Sequence, residues 1–137
     1  MANYYASSRT NYFKVKDLEK FKNELTTFGD ELDIYTDSGD RGLCIIDNLG
    51  DGFPSDYYNE ESEDYHDIDW GDFFSRHLVE NHVAVIMEAG AEKLRYINGY
   101  ASAYTWDGRS THISLEEIYD KAIAEFGSDI KITEAVY

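Results

Sequence analysis

Carboxylates are the side chains whose number and spacing in this chain most clearly suggest chemistry. Residues 42–75 contain no Lys or Arg, yet they supply ten negative charges to a chain of 137 residues with a formal net charge of −16. Aromatic residues are interspersed among these acids. Such a segment attracts cations, so its ligand is either a metal ion or a basic macromolecular surface. The ten carboxylates are Asp47, Asp51, Asp56, Glu60, Glu61, Glu63, Asp64, Asp67, Asp69 and Asp72.

The calcium-loop pattern is the nearest metal motif in this segment, and it is incomplete. An EF-hand loop needs oxygen ligands at its positions 1, 3 and 5 and a glutamate at position 12. Counted from Asp47, position 3 is Leu49 and position 12 is Tyr58. An irregular cation site built from neighbouring carboxylates stays open as an alternative, but we predict no bound metal. The four histidines, which lack zinc-site spacing, are His66, His77, His82 and His112.

Signatures of the common enzyme classes are missing from the sequence. There is no P-loop, no glycine-rich dinucleotide turn and no nucleophile elbow. Asp67 and Asp69 form a carboxylate pair, but helix capping explains them without invoking catalysis. We therefore predict a protein that is not an enzyme and needs no cofactor.

Charge and composition narrow the class of partner. A pI near 4.4 disfavours direct binding to nucleic acid or to an anionic membrane, and it favours a basic partner or simply solubility. Cys44 is the only cysteine, so no intramolecular disulfide forms. The N-terminus lacks a signal-peptide pattern and no apolar run reaches the length of a membrane span. These features predict a cytoplasmic protein.

Hydrophobic periodicity predicts one α+β domain over residues 1–137, with an antiparallel or mixed sheet and about three helices mainly on one face. The predicted order is β-α-β-β-loop-α-β-β-β-α-β. Asp17 caps the first helix, Asp67 or Asp69 caps the second over residues 68–78, and a Ser114–Glu117 capping box opens the third. In the third helix we expect Ile118, Ala122 and Phe126 to point inward.

Alternation and turn residues predict the strands. They cover residues 12–15, 32–36, 42–47, 83–87, 94–106 and 109–113, with a final strand through Ile130, Ile132 and Val136. A bend is predicted at residues 88–93, and Asp107-Gly108 predicts a tight hairpin turn. The acidic segment is predicted to be a loop inserted at about residues 48–67.

One face of the strand at residues 94–106 is aromatic. Tyr96, Tyr100, Tyr104 and Trp106 point one way, while mostly small residues point the other way. The aromatic face either packs under the second helix or the acidic loop, or it forms a contact surface for a protein or a small ligand.

Three stretches, together with the acidic segment, carry a family resemblance. They are Arg9 to Asp17 (RTNYFKVKD), Asp51 to Ser55 (DGFPS), and Met87 to Tyr100 (MEAGAEKLRYINGY) continued by Ser114 to Tyr119 (SLEEIY). Over nearly its whole length the chain resembles a family of small acidic proteins carried by phages, plasmids and other mobile elements. The resemblance implies a setting in which antirestriction and anti-CRISPR proteins are frequent, and several of these mimic DNA. It implies no catalytic residues.

We therefore predict a phage- or mobile-element-encoded inhibitor of a host defence nuclease, either anti-CRISPR or antirestriction, that binds a basic nucleic-acid groove as a partial DNA mimic. Most of the excess charge is confined to one segment, which indicates a local plug rather than mimicry of a long duplex. The alternative is a non-enzymatic protein that binds a small ligand or peptide through the Tyr/Trp face. The sequence also allows a homodimer. The predicted partner-binding residues are Asp51, Asp56, Tyr57, Tyr58, Glu60, Glu61, Glu63 and Asp64.

Overall fold

Six strands form one antiparallel sheet in the order β2-β3-β1-β6-β7-β8, and β4 and β5 form a separate hairpin. The computed structural model describes residues 4–93 and 95–136. The α+β class, the largely antiparallel sheet and the three helices predicted from sequence are confirmed. The elements are β1 (Tyr5–Thr10), α1 (Leu18–Thr27), β2 (Leu32–Thr36), β3 (Leu43–Asp47), β4 (Asp56–Asn59), β5 (Asp64–Asp67), α2 (Trp70–His77), β6 (Val83–Glu92), β7 (Tyr96–Thr105), β8 (Ser110–Ser114) and α3 (Glu117–Phe126).

The first two helices begin where the sequence predicts. The Asp17 side chain accepts a hydrogen bond from the Lys20 backbone amide at the start of α1. Asp69 does the same for Asp72 at the start of α2. Each cap satisfies an amide that has no partner within its helix.

Aromatic rings fill the space between α1, α2 and one face of the sheet, which we call the inner face. Phe13, Phe21, Phe73 and Phe74 are fully buried. Phe13 meets Phe21 and Phe74 edge to face at ring-centroid distances of 5.9 and 5.6 Å. These contacts fix α1 and α2 on the inner face, and we call the opposite face of the sheet the outer face.

The first strand lies earlier than the sequence predicts. Residues 12–15 contribute only single bridges, and β1 runs instead through the polar stretch Tyr5–Thr10 between β3 and β6. Its inward polar groups are paired: the Ser8 hydroxyl donates to Asp47, and Thr10 Oγ1 accepts from the Ile45 amide. A central strand with polar inward residues escapes detection by hydrophobic pattern.

The fourth predicted strand is longer than expected. No bend occurs at residues 88–93, because β6 continues to Glu92 and pairs with β7 throughout. Gly90 allows this: a Cβ there would lie 2.6 Å from both the Tyr4 hydroxyl and the Tyr5 carbonyl oxygen. The predicted start of β7 at Leu94 lies outside the described residues.

The acidic insertion is only partly a loop. Residues 48–55 are irregular, as predicted, but Asp56–Asn59 and Asp64–Asp67 pair as an antiparallel hairpin. Tyrosine favours strands, and four aromatic or imidazole rings lie within these two short strands. The surrounding carboxylates, which disfavour strands, conceal that preference in the sequence.

The C-terminal region departs furthest from the prediction. Of the three residues expected to point inward from α3, only Ala122 is buried, whereas Ile118 and Phe126 are 56% and 69% exposed. The capping box is half formed, with the Ser114 amide donating to Glu117. The predicted last strand is reduced to a single bridge between Val136 and Tyr96. This helix therefore has an apolar side that the described chain does not cover.

Candidate partner-binding surface

The β4–β5 hairpin projects most of the predicted binding residues into solvent. Its register places Asp56 opposite Asp67 and Asn59 opposite Asp64. The connecting turn, residues 60–63, is held by Asn59, whose side-chain oxygen accepts from the Glu61 and Ser62 amides at 2.9 and 3.2 Å. The strands expose Asp56 and Asp67 on one face of the hairpin and Asp64 on the other, and the turn adds exposed acids at the tip.

Six carboxylates make up this surface, which we call the acidic hairpin. Five of them are predicted site residues, and the sixth, Asp67, is set aside by sequence reasoning as a helix-cap residue. The cap is Asp69, so Asp67 is free to join the hairpin surface. Asp51, also predicted, is exposed in the loop before β4. The acidic hairpin consists of Asp56, Glu60, Glu61, Glu63, Asp64 and Asp67.

No cation within the described residues neutralises the acidic hairpin. The eight ion pairs among the described residues all involve carboxylates that lie outside the acidic hairpin. Asp56 and Asp67 even face each other directly across the strands, an arrangement that disfavours the isolated hairpin. A basic partner placed against the hairpin would relieve that repulsion.

The acidic hairpin carries a short array of anions at a lower density than DNA. Each strand has four residues, so the strands are roughly 13 Å long, and duplex DNA of that length carries roughly eight phosphate charges. Three of the six carboxylates lie on the strands, and the other three lie on the turn beyond them.

Aromatic contacts hold the hairpin against the helices. The Tyr57 ring lies 5.2 Å from Phe28 at the end of α1 and 5.9 Å from His66 on the opposite strand. On the other side of the hairpin, Tyr58 and Tyr65 pack edge to face at 5.3 Å, with Tyr58 half exposed. Tyr57 is thus largely an anchor, whereas Tyr58 is available to a partner.

The base of the hairpin is fixed to α2. The Trp70 indole donates a hydrogen bond to the Pro54 carbonyl oxygen at 3.1 Å. The Ile68 amide donates to the Ser55 carbonyl oxygen at 2.8 Å, and Phe53 packs on Trp70. Because Trp70 belongs to the hydrophobic core, the acidic hairpin is attached directly to that core.

A buried glutamate joins the preceding loop to the sheet. Glu88, on the inner face of β6, is only 7% exposed. Its carboxylate accepts from the Phe53 amide at 3.1 Å and from the hydroxyls of Tyr4 and Tyr100 at 2.9 and 3.2 Å. Sequence reasoning missed this residue by placing a bend at 88–93, although its alternation with Ala84 and Ile86 marks an inward position.

A second carboxylate shapes the same loop from within. Asp47 accepts hydrogen bonds from the Leu49, Gly50 and Gly52 amides and from the Ser8 hydroxyl. Its oxygens therefore serve the backbone turn in place of a cation. Within residues 4–93 and 95–136, no three His, Cys, Asp or Glu side chains are grouped as metal ligands.

The Tyr/Trp face of β7 lies mostly against other side chains. Tyr104 stacks on Phe74 of α2 at 5.5 Å, and Trp106 packs at the edge of the core. Burial, with the nearby Glu88 carboxylate, raises the pKa of the Tyr100 phenol above its ordinary value. Tyr96 is the most exposed of the four and stacks on Tyr4. The face is thus occupied chiefly by α2 and by the Glu88 network.

The cavity between α1 and α2, of about 470 Å³, contains an internally paired cluster. Arg76 donates to both carboxylate oxygens of Glu24, and His77 Nε2 lies 2.8 Å from one of them. Hydrogen bonds from Arg76 and then from His77 hold the pKa of the Glu24 carboxyl below its usual value, against the opposing effect of burial. The cluster braces the two helices that support the hairpin.

Comparison with known proteins identifies no relative of this chain. No model of a known protein family matches the chain, and no curated protein or solved structure shows significant similarity to it. In the part of the chain that the structure describes, no helix has the length and apolarity to cross a membrane.

Proposed function

We propose that this chain is a non-enzymatic cytoplasmic inhibitor that inserts the acidic hairpin into the basic nucleic-acid groove of a host defence nuclease complex, of the CRISPR or restriction type. One observation carries the proposal: a hairpin anchored to the core exposes six carboxylates, none of which forms an ion pair with a described residue. The choice of defence nucleases as the partner class follows from the family resemblance expected from the sequence, which stays a prediction.

The physical basis is that Lys- and Arg-lined channels built for phosphates attract other anions with suitable spacing. The hairpin is narrow, being two strands wide, and its tip is formed by Glu60, Glu61 and Glu63. Such a shape suits local blockage of a groove rather than replacement of a long duplex. Tyr58 adds an exposed ring, of the kind enriched at protein interfaces.

The test uses a purified CRISPR effector complex and a purified restriction enzyme as probes, each assayed for binding and for DNA cleavage. We expect the chain to bind one of them in competition with its DNA and to inhibit cleavage. Neutralising the hairpin with E60Q, E61Q, E63Q and D64N should weaken binding roughly tenfold, at about 0.3–0.5 kcal/mol per exposed charge.

A matched control distinguishes the effect of the hairpin carboxylates on binding from the effect of net charge. The variant E19Q, D30N, E80Q and E134Q also removes four exposed carboxylates, which form no ion pair with a described residue and lie outside the acidic hairpin. It should bind nearly as well as the wild type. Equal weakening by both variants would assign binding to net charge and contradict a specific role of the hairpin.

A further inference from the structure

The part of the outer face formed by β1, β6, β7 and β8 combines exposure with an absence of acidic residues, whereas β2 directs Asp33 outward at one edge of the sheet. The register of β1, β6, β7 and β8 directs fifteen side chains outward, three from β1, five each from β6 and β7, and two from β8. None is Asp or Glu, and one is Arg, in a chain of net charge −16. The outward residues are Tyr5, Ser7, Arg9, Val83, Val85, Met87, Ala89, Ala91, Ile97, Gly99, Ala101, Ala103, Thr105, Thr111 and Ile113.

Large apolar side chains on this face are exposed to an extent that a monomer rarely shows. Met87, Ile97 and Ile113 are 59%, 71% and 64% exposed. The register brings Met87, Ala101 and Ile113 into one row across three strands, so the exposed groups are contiguous. A contiguous apolar patch of this kind marks an interaction surface.

The connection to α3 extends the patch. The Leu115 side chain lies over Gly99, close enough that a Cβ added there would be 2.8 Å from Leu115 Cδ1. Beyond it, α3 exposes Ile118, Ile123 and Phe126. Sheet face and helix together therefore present apolar surface that the described chain leaves uncovered.

We propose that the occupant of this face is a second copy of the chain, packed against it in an isologous dimer. Two copies with sixteen excess negative charges each repel across most surfaces, and the four strands β1, β6, β7 and β8, which direct no acid outward, let them approach with less repulsion. None of the fifteen outward positions of these strands carries a carboxylate that burial in a dimer would leave unpaired.

The available area suits a stable dimer. Fifteen outward positions at roughly 33 Å² each give about 500 Å², from the strand spacing and rise. The exposed side of the ten-residue α3 adds roughly 150 Å². Two copies then bury roughly 1,300 Å² in total, which lies within the range of specific interfaces.

The dimer would leave the acidic hairpin free, because Tyr57 attaches the hairpin to Phe28 on the helix side of the sheet. The inference therefore does not depend on the proposed function. The two sites also respond oppositely to salt: screening weakens binding of the hairpin to a basic groove, and it strengthens association of two acidic copies.

The test is the solution mass of the full chain by light scattering and sedimentation at about 100 µM, in low and high salt. We expect twice the chain mass of 15.8 kDa. The variant I97E/I113E should be a monomer with an unchanged circular dichroism spectrum. The control L49E/Y65E changes two residues that are 66% and 67% exposed and lie off this face, so it should remain a dimer.

Two results would overturn the proposal. If the wild type is monomeric at high salt and about 100 µM, the face does not bind a second copy, and its partner is a different protein. A dimer that survives I97E/I113E would place the interface elsewhere. The hairpin variant E60Q/E61Q/E63Q/D64N should dimerise normally, so failure of the proposed function and failure of the dimer are distinguishable.

Discussion

Replacing Glu88 tests how the acidic loop is joined to the sheet. The carboxylate is buried and accepts three hydrogen bonds, from the Phe53 amide and from the hydroxyls of Tyr4 and Tyr100. In E88A all three donors lose their acceptor, and two of them are phenols that must then find water or remain unpaired. We predict that E88A lowers the free energy of unfolding substantially.

The magnitude follows from the number and type of these bonds. A buried donor left without its acceptor costs about 1–3 kcal/mol, and bonds that share one acceptor are not additive. Three donors lose their acceptor in E88A, so we expect a loss of roughly 3–4 kcal/mol. In E88Q one oxygen remains to accept from Phe53 and Tyr100, and we expect roughly 1–2 kcal/mol.

Urea denaturation followed by tryptophan fluorescence measures the free energy of unfolding of each variant, and hydrogen exchange measures protection of the loop amides. We expect the Gly52 and Phe53 amides to lose protection in E88A. The control E80Q, at an exposed position, should change the free energy by less than about 0.5 kcal/mol. A change that small in E88A, with the Phe53 amide still protected, would refute this role of Glu88.

The remaining predictions concern the helix brace, a glycine and α3. E24Q should lower the free energy of unfolding by roughly 1–2 kcal/mol at neutral pH, because Arg76 and His77 lose a charged hydrogen-bond acceptor. The pKa of Glu24 is lowered in the folded chain, so this stabilisation is present above the ordinary pKa of 4.5 and is lost as the pH falls through the folded-state pKa. Urea titrations at pH 7 and pH 3 should show that the free energies of unfolding of the wild type and of E24Q converge at the lower pH. A constant difference between them would contradict the assignment. G42A should lower the free energy by more than about 2 kcal/mol, because φ is +101° and a Cβ would overlap the Phe13 carbonyl oxygen; a thermal melt unchanged from wild type would argue against the strain. F73A should lower the free energy of unfolding by roughly 3–5 kcal/mol. F126A changes a residue that is 69% exposed, so in the monomeric variant I97E/I113E it should lower this free energy by less than about 1 kcal/mol. Comparable losses would mean that α3 is packed more tightly than described.

Local signals in the sequence were sufficient for much of the fold. Asp17 and Asp69 mark helix starts because a short acidic side chain satisfies free amides, and both caps are present. Asp107-Gly108 correctly predicts the β7–β8 turn, with Gly108 at φ +89°. These features depend on a few neighbouring residues, which is why sequence reasoning finds them.

The errors arise where distant partners decide the structure. Ser8 and Thr10 point into the core because Asp47 and the Ile45 amide meet them there, and nothing near them in sequence indicates that pairing. Glu88 lies in a strand because Tyr4, Phe53 and Tyr100 surround its carboxylate. Both cases follow from tertiary hydrogen bonds that outweigh local polarity.

The shape of the candidate site was not predicted from the sequence, and its role in binding stays a prediction. The predicted carboxylates lie on an exposed surface, yet the hairpin that presents them was taken for a loop. Asp67 was missed because either Asp67 or Asp69 suits the α2 cap, and only the structure distinguishes them. The exposed side of α3 was missed because the spacing of Ile118, Ala122 and Phe126 is typical of a buried stripe.

The most direct test of the central claim is the salt dependence of binding to a defence nuclease complex, measured in parallel for the wild type and for E60Q/E61Q/E63Q/D64N. The account predicts that wild-type affinity falls steeply between about 50 and 500 mM NaCl and that the variant binds more weakly with a shallower slope. Binding that is insensitive to salt, or equally tight in the variant, would contradict the proposal that the acidic hairpin occupies a basic groove.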